Sequence, residues 1–338
     1  MEADPLLRRR AERARARQRR RLRRRLVAAG ALVAAILVIV VVALAASSGT
    51  SSSPNHGTAR VVSRSGHGRP GANARRAAGA HRAHGGSTAA ALGSATGAPG
   101  HEAVPILMYH VIAPPPSGAP FPGLYVPAPE FAAQMQALKA AGWRPVTLNQ
   151  LRASWTRGAK LPPGKPIVIT FDNGYHSQYV SALPVLRRMG WVADENIQLS
   201  GLPPSQGGLT TAQVRGMVDA GWELDTQGIS HADLISLDAS QLHYQVVTAR
   251  QRLQRQYHVG VNWFCYPSGH YDATVIDAVR AAGFVGSTTV VPGWASPSDD
   301  PYRLPRLRVL GGTSPSGLLE QIASTRTASA PPSSYGGS

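Results

Sequence analysis

Four times along this 338-residue chain, a stretch with apolar residues at helical spacing runs into a glycine, an aromatic residue follows, and a strand begins. The instances are Ala141-Gly142-Trp143, Met189-Gly190-Trp191, Ala220-Gly221-Trp222 and Ala282-Gly283-Phe284. Glycine suits the left-handed position just past a helix because it lacks the Cβ that would clash there. Ahead of these glycines, Phe131, Met135 and Leu138, then Leu183 and Leu186, then Val214, Met217 and Val218 recur three or four residues apart. Apolar strand candidates interleave with them: Val104 to Tyr109, Arg144 to Leu148, Pro166 to Phe171, Trp263 to Tyr266, Phe284 to Thr289 and Leu304 to Val309. Alternating helix and strand predict an α/β domain with a largely parallel sheet. Over residues 101–324, seven or eight such strands fit a (β/α) barrel better than an open sheet.

The flanks of that domain are of another kind. The net charge of +17 sits mostly outside it: residues 1–25 carry 12 Arg against 3 acids, and residues 47–100 carry 6 Arg and no acid. Residues 26–46, LVAAGALVAAILVIVVVALAA, contain no charge, and their length as a helix matches the roughly 30 Å of a bilayer's hydrocarbon core. A transmembrane helix is expected there. Because Arg resists translocation, the N-terminus is expected in the cytoplasm and the rest of the chain outside, a single-pass cell-membrane protein. The adjacent span explains the Arg cluster without nucleic acid, and no nucleic-acid partner is expected. Ala43-Leu44-Ala45 also fits a small-residue cleavage site, but the apolar run is longer than a signal-peptide core, and an uncleaved anchor is the reading taken. Residues 47–100 are rich in Ser, Gly, Ala, His and Arg and read as a disordered linker; residues 325–338 read as a disordered tail. With Cys265 alone, no internal disulfide exists and the fold must rest on a core.

In a parallel barrel, chemistry gathers where strands end at their carboxyl side. Three stretches there carry suitable atoms: Thr170-Phe171-Asp172-Asn173-Gly174-Tyr175, Glu223 through Leu234, and Phe264-Cys265-Tyr266-Pro267-Ser268-Gly269. In this order they resemble the polysaccharide deacetylase domain (NodB homology, carbohydrate esterase family 4). The opening Val104 to His110 and the late Tyr302-Arg303-Leu304-Pro305-Arg306 resemble it too. The resemblance implies a catalytic base at Asp172, a metal-binding histidine at His231, and an oxyanion-binding backbone N–H at Ser268. Asn173 and Gln227 stand at the two remaining metal positions, where the family has Asp and His. The family's late Leu-x-His, the source of a general acid, has no counterpart around Ser316 to Glu320.

Zinc prefers imidazole, thiolate or carboxylate, and a neutral carboxamide oxygen brings no charge to the bond. No tightly bound cofactor is therefore expected, at most a weakly held divalent metal such as zinc. Without it, water keeps a high pKa and a carboxylate is a weak base for it. His176 and His270 are alternative ligands from nearby loops, with solvent-facing loop histidines as the plainer reading, and Asp225 and Asp233 are further acids. Tyr266 and Trp294 are candidate sugar-stacking residues, although packing is the default for both. Cys265, in a strand with no activating partner, reads as a buried apolar residue. Three functions stay open: a deacetylase hydrolysing the amide C–N bond of N-acetylated cell-wall or surface polysaccharide through an altered metal site, an inactive glycan-binding relative, and an envelope scaffold.

Overall fold

The computed structural model describes residues 97–202 and 207–337. Its parallel strands are β1 (Val104–Tyr109), β2 (Trp143–Pro145), β3 (Lys165–Asn173), β4 (Asp194–Ile197), β5 (Glu223–Thr226), β6 (Trp263–Cys265), β7 (Gly286–Thr288) and β9 (Leu307–Arg308). They form a curled sheet in the order β7-β6-β5-β4-β3-β1, with β2 on β3 and β9 on β1. Leu304 bridges to Thr288 and Val309 N–H donates to Met108 O, so residues 304–309 run from the β7 edge to the β1 edge. The arrangement is a half-barrel of the (β/α) kind. One strand departs from the expectation: β8 (Trp294–Ala295) lies antiparallel to the start of β1.

Helices cover the outer face: α1 (Ala128–Ala140), α2 (Leu148–Arg157), α3 (Leu183–Met189), α4 (Thr211–Asp219), α5 (Ala239–His243), α6 (Ala249–Tyr257), α7 (Ala273–Ala281) and α8 (Pro315–Ser324). The four glycines at the helix ends adopt the expected left-handed backbone, with φ between 65° and 89°. Leu107, Tyr109, Ile169 and Phe171, alternate residues of β1 and β3, pack outward against Phe131 and Met135 of α1 and Leu186 of α3. Phe171 stacks on Trp222, one of the aromatics that follow those glycines, with ring centroids 5.0 Å apart.

The inward residues behave differently. Thr170, Asp172, Asp194, Asn196 and Asp225 lie in adjacent register on β3, β4 and β5, and all are buried. This explains why β4, with sequence Asp-Glu-Asn-Ile, did not read as an apolar strand. At the amino ends of the strands, the first turn of α2 points its N–H groups at acids: Leu148 N donates to Asp194 and Asn149 N to Glu223, each at 2.9 Å. The same helix is opened by a capping box between Thr147 and Gln150.

Among the described residues no helix is long and apolar enough to cross a membrane; the expected span at 26–46 and the linker up to residue 96 lie outside them. The end of the chain differs from the disordered tail expected over 325–338. Tyr335 forms a bridge with Tyr271, the Tyr271 hydroxyl donates to Pro332 O at 2.8 Å, and Arg303 donates to Pro331 O. Composition argues against burial of a core, but aromatic and proline residues docked on a preformed surface need none of their own.

Candidate active site

The carboxyl ends of the strands surround a cavity of about 410 Å³. It is lined by Asp172, Asn173, Gln227, His231, Tyr266 and Ser268, so the structure brings together six of the seven primary candidates for catalysis, metal or sugar contact. The seventh, Trp294, is elsewhere. It sits in β8 beside Pro105, at the amino end of β1, where its indole N–H donates to Ile322 O at 2.8 Å and its ring packs edge-on against Trp143. The exposed aromatic at the mouth is Phe121, 68% exposed, on the loop leading into Leu124.

Asp172 accepts three short hydrogen bonds from two side chains. Arg306 donates Nη1–H to Oδ1 at 2.7 Å and Nη2–H to Oδ2 at 2.9 Å, and Asn196 Nδ2 donates to Oδ1 at 2.9 Å. Arg306 is itself fully buried, with further bonds to Thr289 O, Thr170 Oγ1 and Cys265 Sγ. Burial alone would raise the Asp172 pKa, but the Arg306 charge and hydrogen bonds outweigh it and bring it down to about 2. His110, immediately after β1, places Nε2 3.9 Å from Asp172 Oδ2. Burial lowers its pKa to about 4 despite the nearby acid, so the ring is neutral at ordinary pH. Burial pushes the Cys265 thiol up, in keeping with an inert buried cysteine.

At the family's metal positions, Asn173 uses its amide nitrogen to donate to Gln198 Oε1 at 2.7 Å, and Gln198 passes the chain on to Ser200 O. Gln227 is buried with Oε1 unpartnered. His231 is half-buried, and burial lowers its pKa. Asn173, His231 and Ser268 all have positive φ (80°, 53° and 56°), and only His258 joins them among the described non-glycine residues. Such backbone costs on the order of 1–3 kcal/mol per residue and gathers at functional sites.

Two π-helical turns brace this ring of loops, and both present a buried glutamine. From Gln178–Ala182, Gln178 Nε2 donates to His110 O and to Asp172 O, each at 2.8 Å. From Tyr244–Thr248, Gln245 Oε1 accepts from Ile229 N and Ser230 N, just before His231. Single π turns within helices are often found at functional sites. Each loop histidine has a partner of its own: His176 pairs with Gln213, and His270 pairs with Asp233 at 3.0 Å. Asp225 lies inside the sheet with Asp194 and Glu223, accepting from Asn262 N and Trp263 N. Arg306, Asn196, Gln198, Phe121 and Arg308 were not among the residues singled out. Only Arg306 had a signal, its place in the late stretch Tyr302 to Arg306.

Similarity to known proteins is in accord with this geometry. The polysaccharide deacetylase family model matches residues 159–287. The Bacillus subtilis protein YxkH, named as a polysaccharide deacetylase, is 31% identical over 224 residues, which are 66% of this chain and 77% of that protein. The chain belongs to the polysaccharide deacetylase family. Among solved structures, Streptococcus pyogenes deacetylase PplD, in complex with acetate, superimposes with a TM-score of 0.60 at 26% identity, covering 66% of this chain and 99% of PplD. A Bacillus anthracis protein bearing the family's name superimposes with a TM-score of 0.58 at 25% identity, covering 66% of this chain and 69% of its own.

Proposed function

We propose that this family member is a membrane-anchored, extracellular glycan-binding protein whose mouth grips N-acetylated cell-wall or surface polysaccharide without the family's metal-assisted hydrolysis. The observation that carries this reading is the amide chain Asn173–Gln198–Ser200 at the metal positions. Bound metal would supply an activated water, but the residues do not fit zinc. His231 is the one imidazole of the three, and Asn173 and Gln227 offer only neutral carboxamide oxygens. Losing even a partner behind a ligand costs 10 to 100-fold in metal affinity, so two weakened ligands leave at most a weakly held divalent ion. What remains suits a sugar: an exposed ring at Phe121, amides at Gln198 and Gln227, and the Ser268 N–H.

Membrane anchoring rests on the uncharged run 26–46 and the 12 Arg before it. It predicts that protease added to intact cells removes everything beyond residue 46. The glycan reading is tested with the full chain purified in detergent. It should be retained on insoluble chitin, release no acetate with or without added Zn²⁺, and lose retention on Phe121→Ala. A second reading, slow deacetylation, is favoured by Asp172, an ionised carboxylate at the family's base position. Acetate release abolished by Asp172→Asn would establish it and displace the first.

A further inference from the structure

The charges around the mouth do not balance. Asp172 is the one ionised acid among the described lining residues, and Arg306 already neutralises it in a two-point pair. Glu195, a buried acid close to Asp172, belongs to the register row of Phe171 and Leu224, which faces the helix layer, and burial raises its pKa. Asn173 stands where an acid would have added a negative charge. One lining charge is left over, the guanidinium of Arg308.

Arg308 ends β9, opposite Met108 of β1, and is exposed, with no acid or hydrogen-bond acceptor on its guanidinium among the described residues. Its neighbourhood is fixed rather than loose. Val309 N donates to Met108 O, and Gly311 N donates to Gly123 O at 2.9 Å. That second bond ties the strand carrying Arg308 to the loop carrying Phe121, and Leu310, also exposed, packs near Gly123. A free planar cation and an exposed aromatic ring therefore stand on one braced rim, beside a cavity whose one carboxylate among the described lining residues is already paired with Arg306. A guanidinium recognises a carboxylate through two parallel N–H···O bonds, which a neutral sugar does not offer.

We infer that the mouth selects an N-acetylated glycan whose repeating unit carries a carboxylate, with Arg308 as the residue that reads it. This rests on the glycan-binding reading above and narrows its ligand. The Asn173 carboxamide then has a role: in place of an acid, it keeps repulsion away from an anionic sugar entering a site that lacks a divalent cation.

The test uses the full chain in detergent and three probes: neutral N-acetylchitotetraose, a tetrasaccharide of alternating N-acetylglucosamine and glucuronic acid, and that tetrasaccharide with its uronates converted to amides. Calorimetric titration at low salt should show the acidic tetrasaccharide binding at least about tenfold more tightly than its amide. Arg308→Gln should shrink that ratio to within about twofold, whatever it does to either affinity, and Arg308→Lys should retain part of it. Raising salt should also compress the ratio, since the rim is open to solvent. Equal binding of acid and amide, or a ratio untouched by Arg308→Gln, overturns the inference while leaving glycan binding in place. Failure of all three probes to bind overturns both.

Discussion

The carboxylate of Asp172 and the guanidinium of Arg306 meet face to face across the inside of the barrel, 134 residues apart in sequence, at 2.7 and 2.9 Å. Removing one partner of a buried pair strands the other charge, at a cost of about 3–5 kcal/mol. Arg306→Met should therefore lower the unfolding free energy by about that amount. The double variant Asp172→Asn/Arg306→Met should recover much of the loss, because no charge is left alone. Urea unfolding of the single and double variants measures this, and purely additive losses would mean that the pair is not coupled.

The acids at the opposite end of the strands set a different pH dependence. Asp194, Glu223 and Asp225 bring one oxygen each within 4.8 Å of one another. Burial raises all three, Glu223 from 4.5 to about 7 with the N–H of Asn149 opposing, and Asp194 further raised by its acidic neighbours. Asp194 Oδ2 and Glu223 Oε1 are buried without a hydrogen-bond partner, so nothing in the cluster offsets the cost of ionising both acids. For an acid raised in the folded state, the unfolded chain ionises first. The contribution to stability is then whole below about pH 4.5 and is lost as pH climbs through the folded value. Thermal unfolding of the wild type should fall between pH 5 and pH 8. Asp194→Asn keeps an acceptor for Leu148 N without the proton and should fall less; a parallel decline would sink the assignment.

Much of the outer shell was legible because its signals are local. The glycines at 142, 190, 221 and 283 stop helices by backbone geometry, and the outward residues of β1 and β3 are apolar because helices cover them. The inside of the sheet was less so. Asp194 to Ile197 is a strand whose inward side chains are polar, Asp194 accepting from Leu148 N of α2 and Asn196 donating to Asp172, so neither hydrophobicity nor alternation marks it. Trp294 looked like a stacking residue because it follows Pro292-Gly293, yet its indole is used to seat α8. Phe121 carries no pattern at all, and its role at the mouth depends on a loop held by Leu124 O accepting from Val111 N. The motif alone names Asn173 and Gln227 as the residues at the positions where the family holds metal, whereas the Gln198 bond that engages Asn173 appears only once β3 and β4 lie side by side.

That bond gives a prediction about metal. Asn173→Asp with Gln227→His restores one carboxylate and one imidazole beside His231 and should bring zinc affinity up by at least about 10² to 10⁴-fold, if each ligand contributes no less than an outer-shell partner does. The purified wild type should hold well under one equivalent by elemental analysis, and the double variant close to one. A full equivalent in the wild type would show that carboxamides suffice here.

Gln178 offers a last measurement, because it links the two groups whose spacing defines the mouth. Its amide nitrogen binds the carbonyls of His110 and Asp172 at once, and its aliphatic part is buried in the π turn that begins at residue 178. Gln178→Leu keeps the volume but leaves both carbonyls unsatisfied, which costs on the order of 1–3 kcal/mol for each buried group left without a partner. Beyond lost stability, His110 should be freed from its fixed place against Asp172. Its ring pKa, now about 4 through burial, should move toward the ordinary 6.5 as water enters. Following the imidazole protons of His110 by NMR in the wild type and the variant separates the two effects. An unchanged titration in a merely less stable protein would mean that Gln178 supports the fold without positioning the mouth.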